Sequence, residues 1–269
     1  MRLERIIEAV YTQPWAILPA NHRAIQQLIE AHLNGASLLD FTDPDEQTPA
    51  YEVSGTTAIV PIVGTILNKC SGLEAMCGAF SCQAFRQTLR TVAADDNIEN
   101  IILNISSGGG IITGVPETAD LIARVTSIKP VYAFTDDVIA SAAYWLASQA
   151  NGIFASKSAQ VGSIGIYMAL LDTSAMFQNE GIKVELFKAG TNKAMGLPGT
   201  SLTDDQRQIL QASVDKAYQQ FTSYITAKRP KVSTDTMQGL TYDTDDAVSL
   251  GLIDGELSEL DELIQFLNA

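Results

Sequence analysis

The spacing of apolar residues changes several times along the chain, and each change marks an element. Leu3, Ile6, Ile7 and Val10 recur at helical spacing, and so do the apolar positions from Ala24 to Leu33, with Pro14 and Pro19 between the two runs. Residues 1–40 are therefore expected to be helical. The polar stretch Asp43-Pro44-Asp45-Glu46-Gln47-Thr48-Pro49 reads as a linker. The expected division is a helical extension over 1–42, a linker over 43–50 and a main domain over 51–269.

Beyond the linker the pattern alternates between strand and helix. Thr57 to Ile66 is β-branched and apolar, but Pro61 and Gly64 interrupt it, which suits an irregular or edge strand. Strands are expected at 98–105, 131–134, 152–155, 164–170 and 183–187. Helices are expected at 80–92, 113–125, 141–149 and 172–179. Alternation of this kind predicts parallel strands joined by right-handed crossovers, an α/β fold. Thr203-Asp204-Asp205-Gln206 is a capping box. It opens a long helix striped by Leu210, Val214, Ala217, Tyr218, Phe221 and Ile225 and stopped at Pro230. That stripe packs against its own domain or against another copy.

Composition narrows the classes of function. An apolar content of 46% with 18% charged residues describes a globular chain. A net charge of -14 repels phosphates and argues against nucleic-acid binding. Charged residues Arg2, Glu4, Arg5 and Glu8 break any signal-peptide core, and no apolar run reaches membrane-helix length. Cys70, Cys77 and Cys82 cluster in an odd number without C-x-x-C spacing, which fits a reducing compartment. A cytoplasmic protein without a membrane span is expected.

Three segments could carry chemistry. Gly108-Gly109-Gly110 follows a buried strand and precedes a helix, where backbone N–H groups can meet a negative oxygen. It lacks the Gly-Lys-Ser/Thr ending of a phosphate loop. Ser141, among Ala140, Ala142 and Ala143, opens a helix and reads either as an N-cap or as a nucleophile. Both histidines, His22 and His32, lie far upstream, so a base for Ser141 is more naturally a lysine. Lys193 sits in Gly190-Thr191-Asn192-Lys193, with no acidic residue from Leu186 to Leu202 to hold its charge. A lysine acts as a base only when desolvation makes it neutral. Ser163 is a rival serine at the entry to a strand, and Lys188 a rival lysine.

Together these segments resemble the SppA-type signal peptide peptidases. Residues 101–110 look like that family's strand and glycine turn. Ala140-Ser141-Ala142-Ala143-Tyr144-Trp145 resembles its nucleophile helix, and Gly162-Ser163-Ile164-Gly165 its following strand. The loop of Lys193 resembles its lysine loop, and Gly251-Leu252-Ile253-Asp254-Gly255 its closing segment. The opening, Val10-Tyr11-Thr12-Gln13-Pro14-Trp15-Ala16-Ile17-Leu18-Pro19, resembles the family's phage branch of capsid-assembly or prohead proteases.

The likeness implies a crotonase/ClpP-like fold of repeated ββα crossover units, here with additional N-terminal helices. It implies cofactor-free peptide hydrolysis with Ser141 as nucleophile and Lys193 as base. Oxyanion donors would be the N–H groups of Gly108 or Gly109 and of Ala142, and the groove would be lined by Gly110, Ser163, Ile164 and Gly165. It implies protein substrates, capsid and scaffold proteins among them, in the host cytoplasm or prohead interior, and a homo-oligomer that encloses the sites. Both dyad residues are expected from one chain, since they share one α/β unit. A degradative peptidase and an acyl-CoA hydratase or hydrolase are the alternatives. Ser107 replaces the family's usual proline and Ala142 a common glycine; neither change is expected to remove a donor.

Overall fold

The computed structural model describes residues 13–33, 51–70 and 78–269. The proposed linker and the predicted helix at Leu3 to Val10 lie outside these residues. The framework is a six-stranded sheet containing β2 (Glu52–Ser54), β3 (Thr57–Val63), β6 (Asn100–Ser106), β8 (Val131–Thr135), β10 (Gly152–Ala155) and β13 (Gly255–Glu256). Its order is β13-β10-β8-β6-β3-β2, and every pairing is parallel except β2 with β3. The crossovers carry α2 (Cys82–Ala94), α3 (Val115–Val125) and α4 (Ala142–Ala147). Pro61 lies in β3 beyond Ile59, where pairing with β2 has ended and the strand is an edge.

Strand periodicity explains the two-sided burial of this sheet. Ile101, Leu103 and Ile105 of β6 enter the large core with Phe85, Leu89 and Ile122 of the crossover helices. Ile102 points to the opposite face, where it meets Ile59, Phe134 and residues Leu263 and Ile264 of α8 (Leu260–Asn268). A strand covered on both faces reads as a continuous apolar run, which is why β6 was the clearest strand in the sequence.

Two smaller sheets position the candidate site residues of the glycine turn and the Ser141 turn. One has the order β1-β7-β4-β5, from β1 (Trp15–Ile17), β7 (Gly109–Ile111), β4 (Thr65–Leu67) and β5 (Ala79–Ser81). The other runs β12-β11-β9, from β12 (Thr241–Tyr242), β11 (Gln160–Gly162) and β9 (Val138–Ala140). The remaining helices are α1 (Pro19–Leu33), α5 (Ser174–Asn179), α6 (Asp204–Lys228) and α7 (Thr244–Ser249).

The capping box at Thr203 and Gln206 forms as expected. Only the second half of the α6 stripe is buried, at Ala217, Phe221 and Ile225; Leu210 and Val214 are half-buried. Among the described residues no helix is long and apolar enough to cross a membrane.

Two expectations fail. Residues 15–17, inside the stretch read as helical, form a strand paired far away in sequence. Segments 164–170 and 183–187 form no strand; Tyr167 makes a single bridge, to Trp15. Beyond that bridge no described strand completes a ladder with either segment; Phe187 of the second is 93% exposed, whereas Ile164 of the first is buried in the core.

Candidate active site

Ser141 is held between the glycine turn and β11. Ser107 N–H donates to Val138 O at 2.9 Å, and Ala140 N–H donates to Ser107 O at 3.1 Å, which fixes β9 against the turn. Ser141 N–H donates to Gly162 O at 2.7 Å, and α4 then starts with Trp145 N–H on Ser141 O. The backbone turns between these anchors with φ 59° and ψ −119° at Ser141. A side chain there is strained, costing roughly 1–3 kcal/mol.

The helix behind it is well anchored. Tyr144 Oη donates to Leu252 O at 2.8 Å, and Trp145 stacks on Phe221 of α6 with ring centres 4.6 Å apart. Burial pushes the Tyr144 hydroxyl well above the usual phenol range. Ser141 Oγ is buried and has no hydrogen-bond partner among the described residues, as is also true of Trp145 Nε1 one turn along the same helix. A buried, unpaired hydroxyl costs free energy unless something else uses it.

Glycine is required next to it. Gly109 has φ 97°, and a Cβ there would lie 2.2 Å from Ala16 O and 3.0 Å from both Ser141 Cβ and Ala142 N. The turn thus touches the start of α4, whose first N–H groups have no intrahelical acceptor. Gly110 is confined similarly, since its Cβ would meet Ile66 O at 1.9 Å.

The substitution of serine for proline at position 107 turns out to matter. Ser107 Oγ accepts the Gly109 N–H at 3.2 Å and donates to Gly64 O at 2.6 Å. One candidate oxyanion donor is therefore engaged by a hydroxyl that proline would not supply.

The other predicted residues are placed unevenly. Ser163 is buried at φ 50°, its N–H donates to Leu240 O, and it follows Gly162, the residue that holds Ser141. Ile164 is fully buried and Gly165 packs beside Gly239. Lys193 is solvent-exposed in a series of turns, with its N–H on Gly190 O. Lys188 Nζ donates to Thr191 O at 2.9 Å. No hydrogen bond joins Ser141 to Lys193.

Sequence reading missed β1. Trp15, Ala16 and Ile17 are buried beside the glycine turn, and Trp15 stacks on His22 with ring centres 5.0 Å apart. His22 Nδ1 lies 2.6 Å from Tyr167 Oη, and burial raises that hydroxyl to about 12. The available signal was an apolar run closed by two prolines, more strand-like than helical.

This arrangement can be compared with known proteins. The sequence profile of peptidase family S49 matches residues 123–269, more than half of the chain and the whole stretch from Ser141 to the last helix. The chain belongs to this family.

It is 28% identical to capsid assembly protease C of Escherichia phage lambda over 97% of its length, and 28% identical to the head-tail preconnector protein GP5 of Enterobacteria phage P21 over 99%. It spans only 64% and 56% of those relatives' lengths. The solved 1510-N membrane-bound stomatin-specific protease superposes with a TM-score of 0.50 at 14% identity. That match covers 80% of this chain and 85% of that one. The fold is the expected crotonase/ClpP-like one.

Proposed function

We propose that this S49 chain is a serine endopeptidase in which Ser141 attacks a peptide carbonyl and Lys193 serves as the base. The observation that carries the reading is Ser141 itself: a strained, buried serine at a helix start, its hydroxyl unpaired, against a glycine that no Cβ could replace. Ser141 Oγ bonds to the carbonyl carbon while its proton passes to neutral Lys193 Nζ. The oxygen becomes an oxyanion facing the amides of Ala142 and of Gly108 or Gly109. Collapse expels the amine, which takes the proton, and the acyl-serine is hydrolysed by water that gives its proton to the lysine.

The base comes from assembly. Lys193 is exposed in the isolated chain, and Leu171, Met176, Ile182, Phe187 and Ile209 around its segment are exposed as well. Exposed apolar residues concentrated over residues 171–209 of the sequence would be covered if this segment met another copy. We therefore place Lys193 against Ser141 of a neighbouring copy in a homo-oligomer, which departs from the single-chain dyad expected from sequence. The printed names of two relatives, a capsid assembly protease and a head-tail preconnector protein, support proteins of a phage head, capsid and scaffold proteins, as the proposed substrate class.

A fluorophosphonate probe tests the chemistry. Labelling of the wild-type chain that vanishes in Ser141→Ala is expected. A wild-type chain that neither labels nor cuts any capsid or scaffold protein would favour a hydratase or a passive binding role on the same fold.

A further inference from the structure

β1 lies where a substrate strand would have to lie. It runs antiparallel to β7 with Trp15 opposite Ile111, Ala16 opposite Gly110 and Ile17 opposite Gly109. Leu18 N–H extends the ladder to Gly108 O at 2.8 Å. On its other edge Trp15 N–H donates to Tyr167 O at 2.8 Å and Trp15 O accepts from Tyr167 N–H at 3.0 Å. A three-residue strand is thus bonded along both edges and wholly buried, with Ala16 O packed beside Gly109 where that glycine meets Ser141. An extended peptide reaching Ser141 between the glycine strand and Tyr167 would need the same edges. Peptides commonly bind by adding a strand in this way.

We propose that β1 is a built-in occupant of the peptide groove, holding Ser141 shut until it is displaced by an extended substrate segment of similar character: an aromatic residue, a small one and an aliphatic one in succession. The inference rests on the peptidase reading of the same site. It accounts for the burial of Ser141 at 1% exposure in a chain whose serine must meet a macromolecule. The segment is held by side chains as well as backbone. Trp15 fills the space against His22 and Tyr167, and Asn21 of α1 packs over Gly108. Opening the groove therefore moves β1 and the start of α1 together.

A disulfide lock tests it. The backbone groups of Trp15 face Tyr167, so Trp15 and Ile111 form a non-hydrogen-bonded pair across β1 and β7, a spacing that a disulfide can bridge. The full-length chain would carry Trp15→Cys and Ile111→Cys, with Cys70, Cys77 and Cys82 replaced by Ala. In a Ser141→Ala version, fluorescence anisotropy would follow a labelled Gln-Pro-Trp-Ala-Ile-Leu peptide, the sequence of residues 13–18. The reduced protein should bind it at least about tenfold more tightly than the oxidised one, because an occluded groove scales down apparent affinity by its open fraction.

Equal binding in the two states overturns the proposal. With Ser141 intact, casein cleavage should rise by a similar factor on reduction, and measurable cleavage that is equal in both states also overturns it. Peptide binding that follows the lock without any cleavage leaves the groove assignment standing and removes the peptidase reading instead. Should the cysteine pair fail to fold, Leu18→Pro deletes the bond to Gly108 O and should raise casein cleavage several-fold. Unchanged cleavage in that variant counts against the proposal.

Discussion

Ser141 and Lys193 belong to opposite kinds of environment. The serine sits among buried strands and a buried helix, with its backbone fixed by Gly162 and its flanking strand fixed by Ser107. The lysine sits in exposed turns that follow two segments forming no strand, of which only the first touches one, through the bridge of Tyr167 to Trp15. Under the proposed mechanism a nucleophile must be aimed to within a fraction of an ångström, and one chain's own core would do that aiming for Ser141. Under the same proposal, the base would be delivered later, with association completing the half of the site that needs desolvation.

Removing the serine should have the largest effect. Ser141→Ala is expected to lower cleavage by at least about 10⁴-fold while the thermal transition stays within a few degrees, since a strained residue loses only an unpaired hydroxyl. A large loss of stability would mean that the serine is structural. Lys193→Ala and Lys193→Arg should come close in activity, because arginine does not give up its proton at working pH. Full activity in Lys193→Arg would take the lysine out of the mechanism.

Mixing tests the contrast itself. Equal amounts of Ser141→Ala and Lys193→Ala chains, neither active alone, should recover about a quarter of wild-type cleavage if each site takes its serine and lysine from different copies. No recovery, in chains shown to exchange subunits, would return the dyad to a single chain. A 29 kDa particle by light scattering with full activity would do the same.

Gly109→Ala probes the serine side. The added Cβ falls 2.2 Å from Ala16 O at φ 97°, so both strain and collision oppose it. Destabilisation of roughly 1–3 kcal/mol and loss of most activity are expected, read by denaturant titration and fluorophosphonate labelling. Ser107→Ala should act more mildly and in two directions. It frees the Gly109 N–H, so labelling of Ser141 should quicken several-fold, and it strands Gly64 O, which costs about 1 kcal/mol. Slower labelling would mean that the hydroxyl orients the turn rather than occupying its donor.

The same contrast explains what could be read in the sequence. β6, the glycine turn, α3 and the Ser141 turn into α4 were legible because local spacing and small residues specify them, and their partners come in regular crossovers. β1 was not, since three residues between Pro14 and Pro19 carry no period of their own and pair with Gly109 to Ile111, far along the chain. Segments 164–170 and 183–187 read as strands because they are apolar, yet a strand also needs a neighbour along its length; 164–170 finds only the single bridge of Tyr167 to Trp15, and 183–187 pairs with no described strand. Ser107 was noticed as a substitution, but its two hydrogen bonds depend on where Gly64 lies, which local pattern does not encode.

The last expected effect touches no catalytic step and concerns pH and the buried side of the molecule. Cys82 opens α2 inside the core, and burial, opposed by its contact with Thr118 and the charge of Arg86, pushes its thiol from about 9.0 up to about 11. A thiol raised in the folded state favours the protonated native form. Its contribution to stability is therefore complete below pH 9 and is lost as pH rises toward 11, where the unfolded chain has released the proton and the native one has not. The loss can reach order 2 kcal/mol. Urea midpoints measured from pH 8 to 11 should fall in the wild type, and Cys82→Ala should flatten that fall most clearly between about pH 9 and 10, before buried Tyr144, whose ordinary value is 10.0, adds its own decline. Equal slopes in the two chains would mean that the thiol ionises without unfolding.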